Sequence, residues 1–276
     1  MTALTWLTDP FTYEFMQRSL LVTVVASIVC ALLSCWLVLI GWSLLGDAVS
    51  HAVLPGVVLS YIVGIPFAAG ALVFGFGAVA LIGAVRDTTR LKEDAVIGVV
   101  FTTLFAIGLV LVSVTPSHID LSHILFGNLL GVTDADIWQV VVLGALTTAV
   151  LVVKRRDLTL LAFDPVHAHA IGLSPRRLRA LLLAALAITV VVALQAVGVI
   201  LVVAMVITPG ATAFLLTDRI SRMLVIAPAV AALCAVAGMY ASYYLDASSA
   251  GMIVLMQGIA FGVAYAATWR TRRVRA

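Results

Sequence analysis

Charge is what this chain lacks most. Asp, Glu, Lys and Arg make up 11% of its 276 residues, against roughly 25% in soluble domains, and that scarcity excludes a soluble globular protein. Cysteine is sparse as well. Cys30, Cys35 and Cys234 all fall within apolar runs, and an odd number of such thiols argues against a disulfide framework and for small core residues. The only lysines are Lys92, before Glu93, and Lys154, before Arg155. A Walker A loop needs Lys followed by Ser or Thr after a glycine-rich turn, so the chain has no ATP site of that kind. The only glutamates are Glu14 and Glu93. Neither stands in the His-Glu-x-x-His pattern of an intramembrane metalloprotease.

What is present is apolar sequence: 63% of residues are hydrophobic and the mean hydropathy is +1.20. Runs of 18 or more apolar residues are transmembrane candidates, and this chain is built from them. The expected fold class is an all-α polytopic membrane protein, a single transmembrane domain over 1–276 with about 8–9 spans. Helices are predicted at about 16–40, 44–64, 66–86, 94–114, 136–154, 178–196, 198–217, 222–245 and 250–269. Each covers ~30 Å of hydrocarbon at a rise of 1.5 Å per residue. Within 178–217, Gln195 and Gly198 mark a tight turn or a break. No signal peptide is expected, because the first apolar run follows Asp9 and Glu14 with only Arg18 as a preceding positive charge.

The basic residues set the orientation. Fifteen of the sixteen Lys and Arg, all but Arg18, lie in the connections at 86–94, 154–179 and 218–222 or in the tail after 269. The positive-inside rule places these on the cytoplasmic side, C-terminus included. The net charge of +3 therefore reflects topology and not a nucleic-acid partner. The other side carries Asp9, Glu14, Asp120, Asp134, Asp136 and Asp246, a balance that concentrates cations.

Asp47 and His51 stand four residues apart in the otherwise apolar stretch Gly46 to Gly56. Four residues is about one helical turn, so both share a face. An ionisable group at membrane depth is costly unless paired or hydrated and marks an ion path. Carboxylate oxygen with imidazole nitrogen is also a ligand pair for a divalent transition metal. A helix cap accounts for Asp47 but not for His51. Counted from an outer edge near Gly64, Asp47 lies ~25 Å deep if the helix is continuous; Pro55 and Gly56 are the candidate break, and broken helices are common at transporter ion sites.

A second ligand set, His118, Asp120 and His123, follows Pro116 in a short outer gate or re-entrant segment at about 117–131. Folding inward, it completes one site with Asp47 and His51; otherwise it is a polar external loop. Such N and O ligands suit Mn²⁺, Fe²⁺ or Zn²⁺, and the lack of thiolate disfavours Cu⁺. On the basic side, Asp164 is a good N-cap, Pro165 fits the first helical position and Gly172 fits the residue past the end. A short helix at about 165–171 follows, with Val166, Ile171 and Leu173 as an apolar surface fitted to a groove on a soluble partner. Ala168 lies in its middle, and His167 and His169, two apart, face different sides as solvated residues. Gly70, Gly75, Gly77 and Gly83 permit close packing of 66–86 in lipid. Thr208 and Pro209 break a further apolar helix. Met205 and Thr208 are candidates to line a path there, packing being the favoured role.

These stretches, with Arg90 to Asp94, Ser117 to Val132, Phe163 to Leu173, Gln195 to Gly198, Ile207 to Arg219 and Ser242 to Asp246, together resemble the membrane subunits of bacterial manganese, zinc and iron ABC importers. The Ser-His-Ala-Val-Leu-Pro-Gly form at 50–56 is more similar to the manganese/iron branch than to the zinc branch. The resemblance implies a homodimeric permease in the bacterial cytoplasmic membrane, two cytoplasmic ATPase subunits and an extracytoplasmic metal-binding protein. It implies that Asp47 and His51 contact the transported metal, with Asp120 less securely matched, and that 164–172 is the coupling helix. No permanent cofactor is expected, only the transported ion, and no enzymatic activity in this chain. The alternatives are a zinc importer of the same architecture and an ATP-independent cation transporter or channel, which would use the same Asp and His without a coupling helix.

Overall fold

The computed structural model describes residues 12–115 and 131–275. Among them every regular element is an α-helix, as expected where backbone N–H and C=O groups must satisfy one another away from water. The order is α1 (Glu14–Ile40), α2 (Ser43–Ala52), α3 (Leu54–Val63), α4 (Phe67–Thr88), α5 (Glu93–Val114), α6 (Asp134–Val153), α7 (Arg155–Phe163), α8 (Pro165–Ala170), α9 (Pro175–Val197), α10 (Val199–Leu216), α11 (Ile220–Leu245) and α12 (Ser249–Arg275). Among the described residues eight spans are long and apolar enough to cross a membrane: α1, α2 with α3 as one span over Ser43–Val63, α4, α5, α6, α9, α11 and α12. The chain is a multi-pass membrane protein. The apolar stretch of α10, Leu201–Leu216, is shorter. It runs between α1 and α12, and with half of its residues buried by protein and, among those described, only Phe214 and Leu216 exposed it need not match the lipid thickness.

Local chemistry sets the ends. Gly41 takes the left-handed conformation after α1, φ 85°, and its N–H and that of Trp42 reach back to the last carbonyls of the helix, an arrangement that glycine adopts without the Cβ penalty. Thr133 and Asp136 form a reciprocal capping box at the start of α6. At the 178–217 region the chain divides at Gly198, whose φ of 82° and ψ of 165° belong to a region open essentially to glycine alone.

One element was not anticipated: the connection after α6 opens with α7. It is a two-and-a-half-turn amphipathic helix that buries Leu158 and Leu161 and exposes Arg155 and Arg156. Its nine residues are too few and too polar to register as a span.

Small residues set the helix contacts. A Cβ on Gly56 or on Gly70 would overlap the other's carbonyl, so the backbones of α3 and α4 touch there, and the Gly70 N–H donates to Ser60 Oγ at 3.1 Å. Gly75 approaches Val53, whereas Gly77 and Gly83 face open space, so only part of the predicted small-residue stripe is used in packing. A Cβ on Gly46 would meet Val206 Cγ1 at 2.6 Å, which presses α2 onto α10. Cys30, Cys35 and Cys234 are buried and free.

Candidate functional site

α2 carries Asp47 and His51 on one face, as their spacing requires, while Leu45, Ala48, Val49 and Ala52 fill the core from the other. His51 Nε2 lies 3.3 Å from Asp47 Oδ1, and the side chains keep 26% and 34% of their exposure. The pair is therefore neither sealed in dry packing nor fully solvated. A partly exposed imidazole beside a carboxylate can take up a metal ion without first stripping a buried charge.

The helix is broken close by. α2 ends at Ala52, Val53 is shared as cap, and α3 starts at Leu54 with Pro55 in its first turn. Proline has no N–H to offer the carbonyl four residues earlier, which is that of His51, so the interruption falls at the candidate ligand. Gly56 has a different part: it is the point of contact with Gly70 of α4.

The His51 ring is held by two residues that the sequence reading missed. Phe105 meets it edge-on at 5.1 Å between centroids, and Phe101 lies tilted at 5.7 Å; edge-on contact is a favoured aromatic geometry. Both come from α5, four residues apart, on one helical face. That spacing was the available signal, but apolar aromatics in an apolar helix give no hint of which neighbour they meet. The basic-end turn keeps α5 in register. Arg86 pairs with Glu93 at 3.1 Å, and its guanidinium lies 6.0 Å over Trp42 at the entry to α2. α2 and α5 thus leave a common anchor and run side by side to His51.

Among the described residues no three of His, Cys, Asp or Glu gather into one group. Among the described residues, Asp47 and His51 thus stand as a pair without a third such side chain. His118, Asp120 and His123, with segment 117–130, lie outside the described residues. Met205 is fully buried, its sulfur accepting from Ser27 Oγ at 3.5 Å on α1. Thr208 is half-buried, its carbonyl accepting from Thr212, and Pro209 lies inside α10. Met205 and Pro209 stand in the packing of α10, and Thr208 is partly exposed.

On the basic side, Asp164 Oδ1 accepts from the His167 N–H at 2.8 Å, Pro165 opens α8, and Gly172 takes φ 87° beyond it. The short helix forms as its caps dictate, over Pro165–Ala170 with Ile171 as cap. Ala168 is its buried contact; His167 and His169 are exposed. Val166 is 79% exposed and Ile171 also projects, but Leu173 packs on the core, and Phe163 takes its place on the apolar surface. Leu173 follows the turn at Gly172, which aims it inward.

The manganese transport system membrane protein MntB of Synechocystis is 52% identical over 259 residues, 94% of this chain and 85% of that protein. The chelated iron transport system membrane protein YfeC of Yersinia pestis is 47% identical over 255 residues, 92% of this chain and 87% of that one. The solved structure of PsaBC from Streptococcus pneumoniae in complex with Fab matches with a TM-score of 0.86 at 35% identity, over 96% of this chain and 95% of that chain. A model of the ABC 3 transport family matches residues 12–268, and the chain belongs to that family.

Proposed function

We propose that this chain is the membrane permease subunit of an importer that carries Mn²⁺, with Fe²⁺ next in preference, into the cytoplasm by alternating access driven by partner ATPases. The observation that carries the reading is the Asp47–His51 pair: two ligand side chains 3.3 Å apart, partly exposed within an apolar span and beside a helix break. The names of similar proteins, in which manganese and iron both occur, support the metals.

Asp47 supplies the negative charge that offsets dehydration of the ion, and His51 in its neutral form supplies a nitrogen. Phe101 and Phe105 orient the ring. Two ligands do not complete a divalent coordination shell, and the open side of the pair leaves room for the same two residues of a second copy. A homodimer with the pathway between its halves is the arrangement that follows.

Phe163, Val166 and Ile171 form the docking surface for a cytoplasmic ATPase. α8 packs on α7 and α9, and α9 packs on α2, so displacement of α8 reaches the helix that bears Asp47 and His51. A secondary transporter or channel would leave this solvent-facing apolar knob without a use. An extracytoplasmic binding protein delivers the metal on the acidic side, and the positive-inside bias puts the C-terminus in the cytoplasm.

The test is growth on limiting manganese. Asp47→Ala or His51→Ala should abolish it at unchanged membrane expression, and uptake into sealed vesicles should stop without ATP or the ATPase subunit. Unchanged uptake in both variants defeats the assignment; uptake without ATP favours the secondary transporter.

A further inference from the structure

A groove of about 700 Å³ opens at the basic end of the helices, between α1, the end of α6, α7 and the first turn of α11. It shares no element with the Asp47–His51 site on α2 and α5. Its apolar walls include Leu32, Trp36, Val152 and Leu224, and Arg155 and Arg156 stand at one end. Leu32 and Val152 belong to membrane spans, while the two arginines lie two and three residues past the last residue of the α6 span, Val153. The groove therefore straddles the boundary between hydrocarbon and headgroups.

The charge there is uncompensated. Lys154 is paired with Asp157 at 3.1 Å, whereas no ion pair or guanidinium hydrogen bond engages Arg155 or Arg156 among the described residues. α11 begins at Ile220, so the positive end of its helix dipole faces this mouth, while that of α7 is offset by the C-terminus of α6, which ends at Val153. Trp36 Nε1 donates to Thr159 Oγ1 at 3.3 Å and ties α7 to α1, which keeps one wall in place. Apolar walls within membrane spans and a doubly cationic end call for an amphiphile whose head is anionic. The surface proposed for a soluble partner at α8 adjoins the groove at Phe163, which lines its outer end. Arginine's planar fork suits phosphate oxygens, and basic pockets between membrane helices are lipid-headgroup sites.

We propose that this groove binds an anionic phospholipid, its phosphate between Arg155 and Arg156 and an acyl chain along Leu32 and Val152. The inference rests on the charge-based orientation only for the leaflet named, the cytoplasmic one; a C-terminal reporter fusion tests that orientation independently.

Native mass spectrometry of the purified full-length protein, titrated with phosphatidylglycerol or phosphatidylcholine, reads the binding. Phosphatidylglycerol should be retained in preference to phosphatidylcholine. The double variant Arg155→Gln/Arg156→Gln should bind it about tenfold more weakly, while Arg176→Gln/Arg177→Gln, with the same charge change at the exposed start of α9, should bind as the unmodified protein does. Equal loss in both double variants, equal retention of the two lipids, or displacement of the lipid by inorganic phosphate alone would each overturn the proposal. Thermal melting of the three proteins separates loss of the site from loss of the fold.

Discussion

Replacing Asp47 with Asn isolates the charge of the proposed site, because Asn keeps the volume and a carbonyl oxygen beside His51, where Asp47 Oδ1 lies 3.3 Å from the ring nitrogen. A divalent ion about 2.2 Å from a carboxylate oxygen gains roughly 4 kcal/mol even at the dielectric of bulk water. With the side chain 34% exposed, screening falls short of that limit, so the figure is a floor for the Coulombic part. Asn retains a carbonyl ligand but not the charge, and about 4 kcal/mol corresponds to nearly three orders of magnitude in affinity. Allowing for a water or a second-copy ligand that takes up part of the loss, Mn²⁺ uptake should need at least a hundredfold more metal to reach half its maximum. The assay is ⁵⁴Mn uptake into proteoliposomes holding the complete complex, with ATPase activity measured in parallel. The fold should be intact, since Asp47 lies on the half-exposed face and its loss opens no cavity. Uptake within threefold of the unmodified complex would refute the reasoning and move the pathway away from α2.

Phe105→Ala removes the edge-on contact on His51, worth about 0.5–1.5 kcal/mol; a loss of several-fold in apparent Mn²⁺ affinity with little change in maximal rate is expected, and a change in rate alone would count against a positioning role. Uptake should weaken reversibly on acidification, because protons compete for the ligating imidazole and the metal binds its deprotonated form; ⁵⁴Mn affinity that does not change with pH would exclude His51 as a ligand. Val166→Asp places a charge on the 79% exposed apolar knob, and should cut ATPase co-purification and uptake by about thirtyfold, the scale of one interface hot spot, without altering membrane insertion. Gly56→Ala forces α3 from α4 at Gly70 and should cost about 1–3 kcal/mol by overpacking, read as a lowered melting temperature, whereas Gly77→Ala, facing open space, should melt unchanged.

Features within a few residues of one another were legible in the sequence. The spans follow from unbroken apolar length. The charge bias that orients them is a count of Lys and Arg along the chain. Asp47 and His51 share a face because four residues make one turn, and Asp164, Pro165 and Gly172 start and stop α8 through their own backbone and side-chain chemistry. Helical periodicity and capping act through bonds between near neighbours, so no tertiary information is needed to see them. Val53 as the hinge, just ahead of the Pro55–Gly56 break expected there, was a matter of one or two residues.

Which helices meet was decided elsewhere. Phe101 and Phe105 carry no mark in the sequence of the ring they meet; only the placement of α5 beside α2 brings them to His51. For Met205 packing is the favoured reading of the sequence, but its partner is not legible there: α10 turns it into α1 against Ser27. Leu173 was expected outside and is inside, and α7, with the groove it closes over Trp36, left no periodic run long enough to notice. In a chain that is apolar on nearly every face, hydrophobicity cannot say which face packs. Close approach at Gly56, Gly70 and Gly46 decides it, and that geometry exists only once the helices are side by side.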